Sequence, residues 1–202
     1  MKKIWHLSLL VEGLLCTFLM SGVGDARSSD EEVEGWTTVE GGLEGKSVFS
    51  IRYPPHWDVT RPGHSMSFVG FLQFWPIANR AARFNVQMGS SPLRPEYADL
   101  DALAQTYQQG LLDEQVVQQE ALTIEPLTIS GLDARRLTYE APDDTGSLVR
   151  YVYTFTIVSG TQFLLEYEAP IAEFARYESA FKTILASFEL DREALRKFWE
   201  ER

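Results

Sequence analysis

The sequence predicts an α+β fold, an antiparallel β-sheet with amphipathic helices packed against it. Three observations predict it. Val149, Tyr151, Tyr153, Phe155 and Ile157 recur at every second residue, the side-chain period of one face of a strand. Ser159-Gly160 then interrupts the run and Phe163, Leu165 and Tyr167 resume it, which reads as an antiparallel hairpin. After Pro170, placed at the first helical position, Ile171, Phe174, Ala175, Phe181, Ile184, Leu185 and Phe188 fall at three- and four-residue spacing. That apolar stripe has to be covered, and the neighbouring sheet face is the surface that covers it.

From the N-terminus, residues 1–26 read as an export signal. Lys2-Lys3 precedes an apolar run from Ile4 to Met20, and small residues offer cleavage after Ala26 or Gly24. Glu12 interrupts the run, so an uncleaved anchor is one alternative. Lipidation of Cys16 is another, although Gly13-Leu14-Leu15 matches poorly the Leu-small-small run that precedes a lipidated cysteine. Cys16 is the only cysteine, so no disulfide within the chain supports the fold. The expected location is the periplasm, a thylakoid lumen or the cell envelope, with membrane attachment only through this segment.

Residues 27–46 read as a flexible acidic linker, with Ser28-Ser29-Asp30-Glu31-Glu32 and Gly41-Gly42 and few apolar positions. Trp36 is a local anchor there or the start of an edge strand. Residues 47–190 carry the domain. Phe49, Ile51 and Tyr53 alternate up to Pro54-Pro55, and strands are expected at 56–60, 65–75 and 83–88. Asp99 reads as the cap of a helix with Leu100, Leu103, Tyr107 and Leu111 on one face. Residues 116–129 are β-prone but interrupted at Pro126, and a strand at 134–139 precedes the hairpin across the acidic turn Pro142-Asp143-Asp144-Thr145-Gly146. Opposite the tyrosine face of the first hairpin strand, Leu148, Arg150, Val152, Thr154, Thr156 and Val158 are mixed, as on a half-covered face. Residues 191–202 read as a charged, loosely packed terminal helix capped by Asp191.

The 202-residue chain is 45% hydrophobic, enough for one well-packed domain. Its formal charge is −11, and residues 1–26 carry two basic and two acidic side chains, so their removal leaves it unchanged. That balance repels phosphate backbones and anionic lipid head groups, which excludes nucleic acid as the main partner.

Four stretches of the sequence approach chemical motifs. Glu40-Gly41-Gly42-Leu43-Glu44-Gly45-Lys46-Ser47 approaches a P-loop, but Glu40 replaces the first glycine and a strand follows where a helix is required. Gly63-His64-Ser65-Met66-Ser67 approaches a nucleophile elbow, yet the triad order of that fold needs a later histidine and none follows His64. His56, Asp58 and His64 form a candidate zinc or manganese set, since His56 and Asp58 share a strand face at spacing two. Glu166 and Glu168 fall on the face opposite Phe163, Leu165 and Tyr167, where carboxylates serve solubility. The aromatic run with Phe68, Phe71, Phe74 and Trp75 is the candidate partner surface, weighed against burial in the sheet.

Phe49-Ser50-Ile51-Arg52-Tyr53-Pro54-Pro55-His56-Trp57, Gly131-Leu132-Asp133-Ala134, the hairpin and the closing helix through Ser187-Phe188 together resemble the PsbP-like family, including bacterial exported members of the DcrB type. The resemblance spans residues 48–190 and rests on structural motifs. It implies an antiparallel sheet with helices on both faces, an α/β/α sandwich. It also implies a non-enzymatic role, since its photosynthetic members act by attaching to the lumenal side of photosystem II. The expected function is therefore a cofactor-free, exported module that binds a protein partner as an accessory of a membrane complex. The alternative is a small-ligand or metal carrier with a pocket near His56 and Trp57.

Overall fold

A computed structural model describes residues 35–43, 46–61, 68–78, 80–89, 99–114 and 116–201. The export segment with Cys16, the elbow-like stretch and His64 lie outside the described residues. In chain order the elements are β1 (Thr37–Leu43), β2 (Lys46–Tyr53), β3 (Trp57–Thr60), β4 (Phe68–Pro76), β5 (Arg83–Gly89), α1 (Leu100–Asp113), β6 (Thr123–Ile129), β7 (Leu132–Pro142), β8 (Leu148–Val158), β9 (Thr161–Pro170), α2 (Ile171–Ala186), β10 (Glu189–Leu190) and α3 (Arg192–Glu200). A 3₁₀ turn, Gln119–Ala121, precedes β6.

Turn chemistry fixes the hairpins. Ser159-Gly160 joins β8 to β9 and Ser130-Gly131 joins β6 to β7, and all four residues have φ between 50° and 75°. Two successive left-handed residues define the primed turn whose twist matches the flanking strands, and glycine takes its second position without a Cβ penalty. The hairpins pair from Val158↔Thr161 to Val149↔Pro170 and from Ile129↔Leu132 to Thr123↔Thr138. The resulting seven-stranded sheet has the order β3-β4-β5-β9-β8-β7-β6, with every neighbouring pair antiparallel.

Side-chain alternation splits this sheet into two faces. On the first, Phe84, Val86, Phe163, Leu165 and Tyr167 meet Phe174, Tyr177, Phe181, Ile184 and Leu185 of α2 in one apolar cluster. Tyr167 stacks on Phe181 at 4.5 Å between ring centres, and its hydroxyl donates to the Phe174 carbonyl at 3.0 Å. Burying each such side chain contributes about 1.5–3 kcal/mol. On the second face α1 lies over β7 and β8, where Leu103 and Leu111 join Leu137, Tyr139, Tyr153, Phe155 and Leu164. Asp99 caps α1 as expected, its Oδ1 accepting from the Ala102 N–H at 2.8 Å. Helices therefore cover both sides of the sheet, as the family resemblance implied.

Several expectations are corrected. Residues 37–43, assigned to the linker, form β1, which pairs with β2 and shares a three-stranded sheet with β10. A methyl group at Gly41 would lie 2.1 Å from Phe49 Cζ, so this glycine serves close packing against a buried ring. Residues 40–43 and 46–47 of the P-loop-like stretch thus lie on the paired strands β1 and β2. Pro126 sits inside β6, tolerated because β6 is an edge strand with one ladder partner. Pro170 ends β9 and caps α2 instead of occupying its first turn, and Tyr177 joins the stripe while Ala175 is exposed. The mixed face of β8 is covered: Thr154 and Thr156 are fully buried. The terminal helix α3 is docked, with Leu195 and Phe198 buried and Trp199 Nε1 donating to Thr161 Oγ1 at 2.6 Å.

Candidate binding face

The second face of the sheet changes character beyond α1. Cross-strand register lays its side chains in rows. Arg83, Glu168, Tyr151 and Tyr139 face one another across β5, β9, β8 and β7. The next row runs Gln73, Asn85, Glu166, Tyr153 and Leu137. Gln87, Leu164 and Phe155 follow. The β7–β8 end of each row is tyrosine or apolar and lies under α1, whereas the β5–β9 end is polar in the first two rows and at Gln87 in the third, where Leu164 belongs to the apolar cluster.

That polar half is built, not merely solvated. Glu168 is only 8% exposed and pairs with Arg83 across the ladder. Burial pushes the Glu168 carboxyl up to about 7; Arg83 opposes the shift and Glu166 adds to it. Glu166 Oε2 accepts from Asn85 Nδ2 and from Gln87 Nε2, each at 3.0 Å. Beside them Tyr139 stacks on Tyr151 at 4.8 Å, and its hydroxyl donates to that of Tyr153 at 3.1 Å. Burial raises the Tyr139 and Tyr153 phenols well above their ordinary value and Tyr151 to about 12, so all three stay neutral hydrogen-bonding groups. Tyr107 of α1 accepts from Gln162 Nε2 at 2.9 Å, tying the helix to β9.

The expectation that Glu166 and Glu168 stand in solvent is therefore corrected. Period-two alternation assigned their face correctly, but this face is covered at the centre of the sheet, and their partners come from strands remote in sequence. The sequence did contain a signal: Arg83, Asn85 and Gln87 alternate with Phe84, Val86 and Met88, the same polar pattern on the strand that became the neighbour.

The other candidate residues are scattered. Phe74 is fully buried between Tyr53 and Phe84 and cannot meet a partner. Phe71 and Trp75 are half-buried, Ile77 is exposed, and the Phe68 side chain lies outside the described residues. His56 belongs to the turn before β3, not to the strand, and Asp58 lies 3.9 Å from Arg80. Among the described residues no three His, Cys, Asp or Glu side chains gather as a metal site. Trp57 is a core residue, 3% exposed and packed edge-on against Tyr177 at 6.1 Å.

Fold and face together define a small α+β module, an antiparallel sheet helix-covered on both sides with a polar, tyrosine-bordered half face. No family model matches the sequence, and no curated protein is similar to it in sequence. Solved structures are similar in fold. Cyanobacterial PsbP (CyanoP) from Synechocystis sp. PCC 6803 superimposes with a TM-score of 0.54 at 14% identity, covering 82% of this chain and 98% of that one. A Bacteroides thetaiotaomicron structure gives 0.50 at 14% identity over 76% of this chain and 49% of the other, so the chain spans about half the length of that protein. LpqN of Mycobacterium tuberculosis, described as involved in cell envelope biogenesis, gives 0.49 at 12% identity over 78% of this chain and 92% of that one. The fold is PsbP-like, as the sequence resemblance implied.

Proposed function

We propose that this chain is a non-catalytic accessory protein of the cell envelope or a lumen, and that it works by holding a partner against the polar half of its sheet. One observation carries this: polar side chains of β5 and β9 joined in register by hydrogen bonds and an ion pair, with Gln73 of β4 beside them. A perturbed carboxyl marks Glu168 as a functional-site candidate. For catalysis it would need a nucleophile or a free proton-transfer group beside it; the second carboxylate, Glu166, is engaged by the Asn85 and Gln87 amides, and the neighbouring rows otherwise supply amides, an arginine and neutral tyrosines. The export-type N-terminus supports the location, and the acidic surface disfavours nucleic acid.

The test is a photo-crosslinking residue placed at Gln87, or at exposed Arg196 on α3, in the chain expressed in its native host. The expected outcome is a specific adduct from position 87 and none from 196. Equal labelling from both positions, or none from either, removes the assignment of this face.

A further inference from the structure

Two buried polar atoms on this face have no described partner. Asn85 is 7% exposed and gives its Nδ2 to Glu166, yet its Oδ1 accepts from nothing among the described residues. Trp75, on the adjacent strand β4, buries its indole Nε1 without a described acceptor. Antiparallel pairing at Gln73↔Asn85 and Phe74↔Phe84 puts Trp75 on the same face, diagonal to Asn85. Buried groups left unpaired are costly, so both call for an explanation. One lacks a donor and the other lacks an acceptor, and diagonal cross-strand neighbours stand about 7–8 Å apart. A ligand completing both must present donor and acceptor capacity over the width of one small ring.

Hydroxyl groups on a pyranose do this, because each is both donor and acceptor. The border suits the same chemistry: Gln73 and Gln87 are half-buried amides, Arg83 and Glu166 offer planar multi-point hydrogen bonding, and Tyr151 adds an aromatic edge. Gln73 and Gln87 flank Asn85 and are long and unbranched, so both can re-aim their amides toward a ligand. Charge narrows the class further. Glu166 and Glu168 on a chain of net charge −11 disfavour anionic sugars and phosphates. Arg83, together with Arg80 placed 5.1 Å over the Trp75 ring, disfavours organic cations.

We propose that the face around Asn85 and Trp75 is a binding site for a neutral saccharide, with Asn85 Oδ1 accepting from one sugar hydroxyl and Trp75 Nε1 donating to another. This rests on the reading of the face as the partner-binding surface and names the group recognised there. The ligand bridges β4 and β5, and Gln87 exchanges its bond to Glu166 for one to the sugar.

The test is calorimetry and tryptophan fluorescence on the exported chain with chitotetraose, cellotetraose and maltotetraose, and with oligogalacturonate and spermine as charged probes. The expected result is binding of at least one neutral tetrasaccharide with Kd of order 1 mM or tighter, weakened at least about tenfold by Trp75→Phe and by Asn85→Leu. Trp75→Phe keeps an aromatic ring, so it remains informative should Asn85→Leu fail to fold. Absence of binding by all three neutral sugars overturns the proposal, as does affinity unchanged in both variants, or a preference for either charged probe. If crosslinking from Gln87 survives such a failure, the saccharide falls and the face stands. If both fail, the binding-module reading falls as well.

Discussion

Arg83 and Glu168 stand opposite each other on β5 and β9 as an ion pair, with the carboxylate buried and the guanidinium partly in solvent. Two carboxylates, Glu168 and Glu166, stand two residues apart along β9 on this face, so proton binding relieves their mutual repulsion. The Glu168 carboxyl is accordingly raised from 4.5 to about 7, chiefly by burial.

That shift has a signed consequence. Between about pH 4.5 and 7 the folded chain keeps a proton on Glu168 that the unfolded chain has lost, so this group's contribution to stability falls as pH rises through that window. At about 1.4 kcal/mol per pKa unit the effect is bounded at about 3 kcal/mol. Glu168→Gln removes it. In urea melts the stability of the variant relative to the parent should rise from pH 5 to pH 8. A constant difference across that range would contradict the raised carboxyl.

The hairpin β1–β2 gives a second prediction. Gly41 leaves room for the Phe49 ring, which is buried and lies 6.1 Å from Phe163 and 5.7 Å from Phe188 between ring centres. Gly41→Ala should destabilise the chain by about 1–3 kcal/mol through overpacking. Phe49→Leu costs stability by itself, but added to Gly41→Ala it should cost less than the separate losses imply, because the smaller side chain makes room for the methyl. A thermal-melt double-mutant cycle reads this, and simple additivity would show that the glycine and the ring are not in conflict.

How much was legible follows from range in sequence. The β8–β9 hairpin, the Asp99 cap and the α2 stripe depend on neighbours within one turn or two strands, and their periodicity announces them. β1 was hidden because Gly41, Gly42 and Glu40 are poor strand formers. It exists because β2 offers a partner and Phe49 needs a glycine opposite it. The polar half face was hidden for a similar reason. Asn85 and Glu166 are 81 residues apart, and nothing local says that β5 will sit beside β9. A buried glutamate in an alternating strand has the same sequence pattern as a solvated one until its other neighbour is known.

The α1 edge of the second face supplies a third prediction. Tyr107 packs on Phe155 at 4.4 Å and accepts from Gln162, so it joins the helix to both central strands. Tyr107→Phe keeps the ring and removes the hydroxyl, leaving the largely buried Gln162 amide with one donor unpaired. A loss of about 1–3 kcal/mol is expected in chemical denaturation, more than for a mutually isolated pair, because the remaining donor is desolvated. Replacing Gln162 by Leu in the Tyr107→Phe background should recover part of it. No recovery would mean that the hydrogen bond contributes little.

The last prediction concerns α3, which charge alone suggested would be a loose appendage. Its first turn is capped by Asp191, whose Oδ1 accepts from the Ala194 N–H at 2.8 Å, while the Asp191 N–H donates to the Val48 carbonyl of β2 at 2.9 Å. Its inner side sends Leu195 into the core with no exposure, and Trp199 reaches Thr161 at the start of β9. Its outer side is held by Arg196 between Glu193 and Glu200, exposed pairs of the kind that contribute little. Apolar burial and the cap should therefore dominate over the ion pairs. Leu195→Ala is expected to cost about 2–5 kcal/mol and Asp191→Ala about 1 kcal/mol, whereas Arg196→Ala should change stability by less than about 0.5 kcal/mol. The ordering is the check: urea denaturation that ranks Arg196→Ala above Leu195→Ala would mean that α3 is held by surface charge and not by its buried leucine.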